Sequence, residues 1–194
     1  MRILIIGTGM YVTGRGTDGY GTIFPAIIEF QRIQKIKNLE VTFVGKELSN
    51  LSKSKNKVSR ALKSSGVSIK VKFFSSKKKG NSANSYQEIL RTGPKFHCAI
   101  VAVPDHLHYK VVNDCLNFNL HTLVVKPFTT KLSDAKKLIF KTKKKGIYGL
   151  VEFHKRFDKQ NMLLKNSFES KKLGEPLYFN VEYSQRKIVP EKIF

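Results

Sequence analysis

Short runs of continuously apolar residues alternate along this chain with longer amphipathic stretches, and that rhythm constrains the fold more than any other feature. Parallel strands buried on both faces read as unbroken apolar runs, and the helices that join them carry apolar residues at three- and four-residue spacing. The runs predict strands at Ile3–Ile6, Val41–Val44, Ser68–Phe74, Cys98–Val103, His121–Val125 and Ile147–Phe153. Between them, Ile23, Ile27, Phe30 and Ile33 make one helical face, Val111, Val112, Cys115 and Leu116 a second, and Leu132, Ala135, Leu138 and Ile139 a third. Ser133 and Asp134 near the start of the third helix, and Gly146 after its Lys-rich end, stand where caps and the helix dipole favour them. The expected fold is α/β, a doubly wound, mostly parallel sheet of Rossmann type.

After Phe153 the pattern changes. His154 to Asp158 reads as a polar hinge, Met162 to Phe168 as a helix, and Leu177 to Tyr183 as an alternating, half-buried strand. One helix and one strand cannot close a core, so residues 1–153 are expected to form a complete domain and 154–194 the beginning of an incomplete α+β one. The apolar face of Leu177, Phe179, Val181 and Tyr183 would then call for self-association or a companion chain.

The chain has 194 residues, and 36 Lys and Arg against 14 Asp and Glu leave a net charge of +22. Eleven of the basic residues fall between Lys46 and Gly80, beside one acid, Glu47. A polyanion-binding face would interleave aromatic residues with the charges, and this tract does not; the reading therefore disfavours nucleic acid and takes the tract as solvated surface. Two cysteines, Cys98 and Cys115, are too few for a disulfide framework or a zinc cluster and imply a reduced, cytoplasmic protein. His106 and His108 lack further ligands at metal spacing, so no metal is expected. The apolar start ends at Gly7, too short for a signal peptide, and no run reaches the ~18 residues of a membrane span.

The first predicted strand runs into Gly7-Thr8-Gly9-Met10-Tyr11-Val12-Thr13-Gly14-Arg15-Gly16, with further glycines at 19 and 21. A pyrophosphate needs a turn whose backbone comes close and whose N–H groups point at it, and glycines after a first strand supply both. Val12 stands where the third glycine of G-x-G-x-x-G would be. The long glycine loop either wraps the cofactor, with Arg15 near its phosphates, or is a surface loop. At the end of the second strand, Gly45 offers no carboxylate to a ribose and Lys46 can pair with a 2′-phosphate. That favours NADP over NAD, with Glu47 as the counter-argument.

Ala99 to Val103 followed by Pro104-Asp105-His106-Leu107-His108, then His121 to Val125 followed by Lys126-Pro127, then Gly149 to Asp158 with Arg156-Phe157, resemble in order the Gfo/Idh/MocA oxidoreductases, typified by glucose-fructose oxidoreductase and inositol dehydrogenase. The likeness spans about residues 1–185. It implies an NAD(P)-dependent dehydrogenase acting on a sugar or cyclitol hydroxyl. Cofactor contacts fall on Gly7, Thr8, Gly9, Met10, Tyr11, Gly14, Gly45, Lys46, Val103, Pro104, His108 and Lys126. Lys126 matches the lysine of the family's Glu-Lys-Pro motif, which contacts nicotinamide and substrate, and is the candidate catalytic residue; Val125 replaces the glutamate. Physically, a lysine at the carboxyl end of a parallel strand lies at the ligand crevice, and a surface lysine at a turn is the competing reading. Arg156 matches a substrate-binding arginine, against the plainer role of a salt bridge at the hinge. The family's proton-transfer histidine, in an Asp-x-x-x-His segment, has no counterpart in these 194 residues. The expectation is therefore a truncated nucleotide-binding half, or a non-catalytic dinucleotide-binding or partner protein.

Overall fold

The computed structural model describes residues 1–75, 85–171, 174–182 and 184. They divide into two units, Met1–Glu152 and the residues from Phe153 onward. In the first, β1 (Arg2–Ile6), β2 (Glu40–Val44), β3 (Lys70–Phe74), β4 (Cys98–Val101), β5 (His121–Val125) and β6 (Gly149–Glu152) form one sheet in the order β3-β2-β1-β4-β5-β6. Every neighbouring pair is parallel. The chain reverses its direction of travel across the sheet between β3 and β4, so the carboxyl ends of β1 and β4 flank the switch point of a Rossmann-type fold.

Side chains alternate along β1, and the two faces build separate cores. Ile3 and Ile5 face α2 (Ile23–Gln34) and α3 (Leu48–Ser65), with Val41, Phe43, Phe24, Ile27 and Val58. Phe43 stacks on Phe73 at 5.0 Å and meets Phe24 edge-on at 5.4 Å. Leu4 and Ile6 face the opposite way, toward α4 (Ser85–Thr92), α5 (His108–Asn117) and α6 (Leu132–Lys145). Period-two alternation in a sheet covered on both sides is why the strands read as unbroken apolar runs.

Several boundaries differ from the sequence expectation. β4 ends at Val101 because the turn leading to Pro104 begins there, although the Ala102 amide still donates to the Ile6 carbonyl at 2.9 Å. β3 starts at Lys70, and β6 is confined to four residues. The α5 face is buried as expected, whereas α2 buries Ile23, Phe24, Ile27 and Ile28 and leaves Phe30 and Ile33 exposed. On α6 only Leu138 is buried; Leu132 and Ile139 face solvent because the helix rests on the outer strands by one narrow edge. Lys131, not Ser133, holds the N-cap position of α6, and Gly146 ends it in the left-handed conformation. Of the basic tract, Lys77, Lys78 and Lys79 lie outside the described residues.

The second unit contains a 3-10 turn, His154–Phe157, and α7 (Lys159–Glu169). Residues 177–182 are not a strand: no described strand pairs with them, and Leu177 is 93% exposed. An alternating sequence has no reason to stay extended without a neighbour to take its backbone hydrogen bonds. Tyr183, the last residue of the expected strand, lies outside the described residues. No described helix is long and apolar enough to cross a membrane.

Candidate functional site

The carboxyl edge of the sheet collects most of the residues singled out from the sequence. At the end of β1, Gly7 adopts φ +111°, and a Cβ there would stand 2.0 Å from the carbonyl oxygen of Ala102. Only glycine permits that approach. The Gly7 amide donates to the Val44 carbonyl at 3.0 Å, so the turn is held to the ends of both neighbouring strands. Below it, the Ser54 hydroxyl of α3 donates to the carbonyl of buried Thr8 at 2.9 Å, and Thr13 Oγ1 lies 3.5 Å from Ser54 Oγ.

The helix after this turn, α1 (Met10–Thr13), is a single turn long. Val12 is 1% exposed and sits in the core with Ile23 and Phe24, so the space that a third glycine would leave open is filled. Gly14 stops α1 in the left-handed conformation, and its absent side chain makes room for the Gly19 carbonyl, 1.9 Å from a Cβ built there. The glycine loop is thus folded back on itself. Lys57 of α3 pins it by donating to the carbonyls of Thr17 and Gly19 at 2.5 and 3.0 Å, and its ammonium lies 5.8 Å from the Tyr20 ring. Arg15 is half-buried within this loop.

Gly45, after β2, is buried against Leu51 and lies close to the Thr8 hydroxyl. Lys46 and Glu47 are exposed, and the Glu47 carboxylate accepts from Asn50 Nδ2 at 2.7 Å. Beyond β4, Val103 is half-buried and Pro104 exposed. His108 is fully buried: Nε2 lies 2.9 Å from the Val103 carbonyl oxygen and Nδ1 2.6 Å from that of Pro127. Each ring nitrogen faces a backbone carbonyl oxygen, and the ring, which in its neutral form donates to one of them, sits between the segment after β4 and the segment after β5. Lys126, exposed, leads into Pro127 through a cis peptide bond.

Glu152 escaped the sequence reading. It ends β6 as the register partner of Val125, and the Tyr11 hydroxyl donates to its Oε2 at 2.6 Å. Burial, with the adjacent Glu152 carboxylate, raises the Tyr11 phenol well above its ordinary range. A carboxylate closing the last strand of a parallel sheet was the available signal.

The turn residues, Tyr11, Gly45, Lys46, Val103, Pro104, Lys126 and Glu152 therefore stand at the carboxyl ends of β1, β2, β4, β5 and β6. Arg156 belongs to the second unit, with its guanidinium 4.7 Å from the Phe153 ring. Among the described residues, no three His, Cys, Asp or Glu side chains gather as a metal site.

A dinucleotide fits the turn. A Cβ on Gly9 would meet nothing within 4 Å, so the backbone there is open to a ligand. The amides of Thr8, Gly9 and Met10 find no protein acceptor among the described residues. Open backbone with free N–H donors is what a pyrophosphate requires.

Comparison with known proteins agrees. The oxidoreductase family with an NAD-binding Rossmann fold, Gfo/Idh/MocA, matches residues 1–153. An uncharacterized oxidoreductase of Schizosaccharomyces pombe is 35% identical over 80 residues, covering 41% of this chain and 22% of the relative. Myo-inositol 2-dehydrogenase of Thermotoga maritima is 28% identical over 83 residues, covering 43% and 25%. Among solved structures, the WlbA dehydrogenase of Bordetella pertussis in complex with NADH and UDP-GlcNAcA superposes with a TM-score of 0.58 at 18% identity, over 89% of this chain and 43% of that one. The probable oxidoreductase yhhX superposes with a TM-score of 0.64 at 22% identity, over 90% and 42%. The chain thus spans less than half the length of the relatives it matches. A turn built to admit a pyrophosphate at the switch point of a parallel sheet and a family match over 153 residues lead to one conclusion: the chain belongs to the Gfo/Idh/MocA oxidoreductases and contains their NAD-binding Rossmann fold.

Proposed function

We propose that this chain carries the dinucleotide-binding part of an oxidoreductase that acts on a secondary hydroxyl of a sugar or cyclitol, with NADP preferred to NAD. Residues 1–153 are the nucleotide-binding domain, and 154–194 begin the substrate or oligomerisation domain. The observation that carries the reading is the glycine turn, locked by the Gly7 contact with Ala102 and open at Gly9. The sugar or cyclitol assignment draws on one relative named a myo-inositol 2-dehydrogenase and on the UDP-GlcNAcA in the complex of the WlbA dehydrogenase.

When bound, the nicotinamide supplies a hydride acceptor or donor at C4. The chain's own residues do the rest. The amides of Thr8, Gly9 and Met10 would hold the pyrophosphate, on a turn closed by Gly7 and with Gly14 shaping the loop beside it. Gly45 lets the turn after β2 pack closely on Leu51 and Thr8 and sets no carboxylate against the adenosine ribose, the Lys46 ammonium would pair with a 2′-phosphate, and Glu47 is engaged by Asn50. Val103 and Pro104 wall the nicotinamide, and His108 holds that wall to the Lys126-Pro127 segment. Lys126 donates a hydrogen bond to the substrate oxygen and stabilises its alkoxide form, the hydroxyl proton being exchanged with solvent. Arg156 takes the substrate-binding role that its motif match assigns.

Titration calorimetry of the chain with NADPH and NADH tests this. Heat is expected with both, NADPH binds more tightly, and Lys46→Glu reverses the order. No heat with either cofactor overturns the reading, and an unchanged ratio in Lys46→Glu removes the NADP preference.

A further inference from the structure

The hydrogen bond between Tyr11 and Glu152 joins residues 141 positions apart in the chain. It also crosses the sheet. Tyr11 follows the glycine turn at the end of β1, whereas Glu152 ends β6, the edge strand, with β4 and β5 lying between. Val125, the register partner of Glu152, immediately precedes Lys126, so the Glu152 carboxylate belongs to the part of the edge where Lys126 stands. No carboxylate ends β5 itself, because position 125 is valine.

A phenol donating to a carboxylate at 2.6 Å is a short, charge-assisted bond. The rest of the turn is held by its immediate neighbours, Val44, Ala102 and Ser54. Tyr11 supplies the tie to the far half of the sheet. Since α1 is only four residues long, it holds its own register weakly and depends on such ties.

We propose that Tyr11 and Glu152 form a strap that fixes the glycine turn relative to the ends of β5 and β6, making both of them positioning residues for the dinucleotide. The proposal rests on the dinucleotide reading above. The strap sets the separation between the backbone amides that receive the pyrophosphate and the lysine that faces the nicotinamide end. Without it, the turn samples other positions and the ligand must order it on binding, which weakens affinity. The carboxylate acts through its acceptor oxygen, so a neutral amide at the same place retains the strap.

The test uses the full chain and four variants, Tyr11→Phe, Glu152→Ala, Glu152→Gln and the double variant Tyr11→Phe/Glu152→Ala. Two readouts are taken: the dissociation constants of NADH and NADPH, and amide hydrogen exchange of the peptide that covers the glycine turn. Tyr11→Phe and Glu152→Ala are each expected to weaken both dinucleotides on the order of tenfold, the size of one charge-assisted hydrogen bond. The double variant should be no weaker than either single one, and Glu152→Gln should stay within about threefold of the parent. Exchange in the turn should quicken in Tyr11→Phe and Glu152→Ala and stay near the parent rate in Glu152→Gln. Unchanged exchange in those two single variants overturns the strap. Additive losses in the double variant, or a Glu152→Gln as weak as Glu152→Ala, overturn it in favour of independent charge effects. A parent chain that binds neither dinucleotide while the exchange pattern holds refutes the cofactor reading and the positioning role, and leaves the strap as a structural tie.

Discussion

The α-carbon of Gly7 faces the carbonyl oxygen of Ala102 so closely that a methyl group on it would lie 2.0 Å from that oxygen. Two residues that are 95 positions apart in the chain are thereby brought together at the carboxyl ends of neighbouring strands, where the proposed cofactor turn lies. Gly7→Ala must either move β4 or abandon the φ of +111°, and is expected to destabilise the protein by about 2–4 kcal/mol. Urea unfolding followed by circular dichroism measures this. A change below about 0.5 kcal/mol would mean that the turn relaxes freely.

Gly9→Ala separates folding from binding. Its φ is −73° and a Cβ there meets nothing, so stability should stay within about 0.5 kcal/mol of the parent. The added methyl occupies the open space that the proposed reading gives to the pyrophosphate. Calorimetric titration should show dinucleotide affinity falling tenfold or more in a variant whose unfolding curve is unmoved.

His108→Leu keeps a side chain of similar bulk and removes both ring nitrogens. A neutral imidazole donates to one of the Val103 and Pro127 carbonyls, and losing that donor in a fully buried position should cost about 1–3 kcal/mol. Dinucleotide affinity should drop with it, because the Val103-Pro104 wall and Lys126 are no longer tied together. Thermal unfolding and NADPH titration of the same preparation check both effects.

Asp114 gives the acid end of the stability curve. Burial pushes its carboxyl up, but hydrogen bonds from Gln87, Tyr86 and Lys110 outweigh burial and hold it below the ordinary carboxylate range. The unfolded chain therefore takes up this proton first as pH falls. The stabilisation is complete above pH ~4 and is lost as pH drops from the unfolded value through the folded one. Melting temperatures of the parent and Asp114→Asn should differ at neutral pH and converge in acid; a constant gap down to pH ~2 would contradict the assignment.

Neither cysteine should react in the native protein. Burial pushes the Cys115 thiol up to about 12 and raises Cys98 as well, so little thiolate exists at neutral pH. A chromogenic disulfide reagent should label neither native thiol within the time that labels both in denaturant. Rapid native labelling at Cys98 would show that the packing between β4 and its neighbours opens readily.

Most of the fold was legible because its determinants are local. An unbroken apolar run bounded by turns specifies a buried strand wherever it occurs, and Ile3–Ile6, Val41–Val44 and His121–Val125 needed no knowledge of their neighbours. The glycines after β1 announce a tight, open turn for the same reason. What the chain alone did not specify depends on which elements become adjacent. Ile33 and Leu132 match a helical apolar face but are exposed, because burial requires a surface opposite, not only the right spacing. Residues 177–182 alternate like a strand but have no described strand beside them. That the His108 ring lies between the Val103 and Pro127 carbonyls appears only once β4 and β5 are neighbours. Glu152 carried no role until the order β1-β4-β5-β6 set it on the edge that Tyr11 reaches. Periodicity is a property of neighbours in sequence, whereas a hydrogen bond across 141 residues exists only once the sheet has chosen its order.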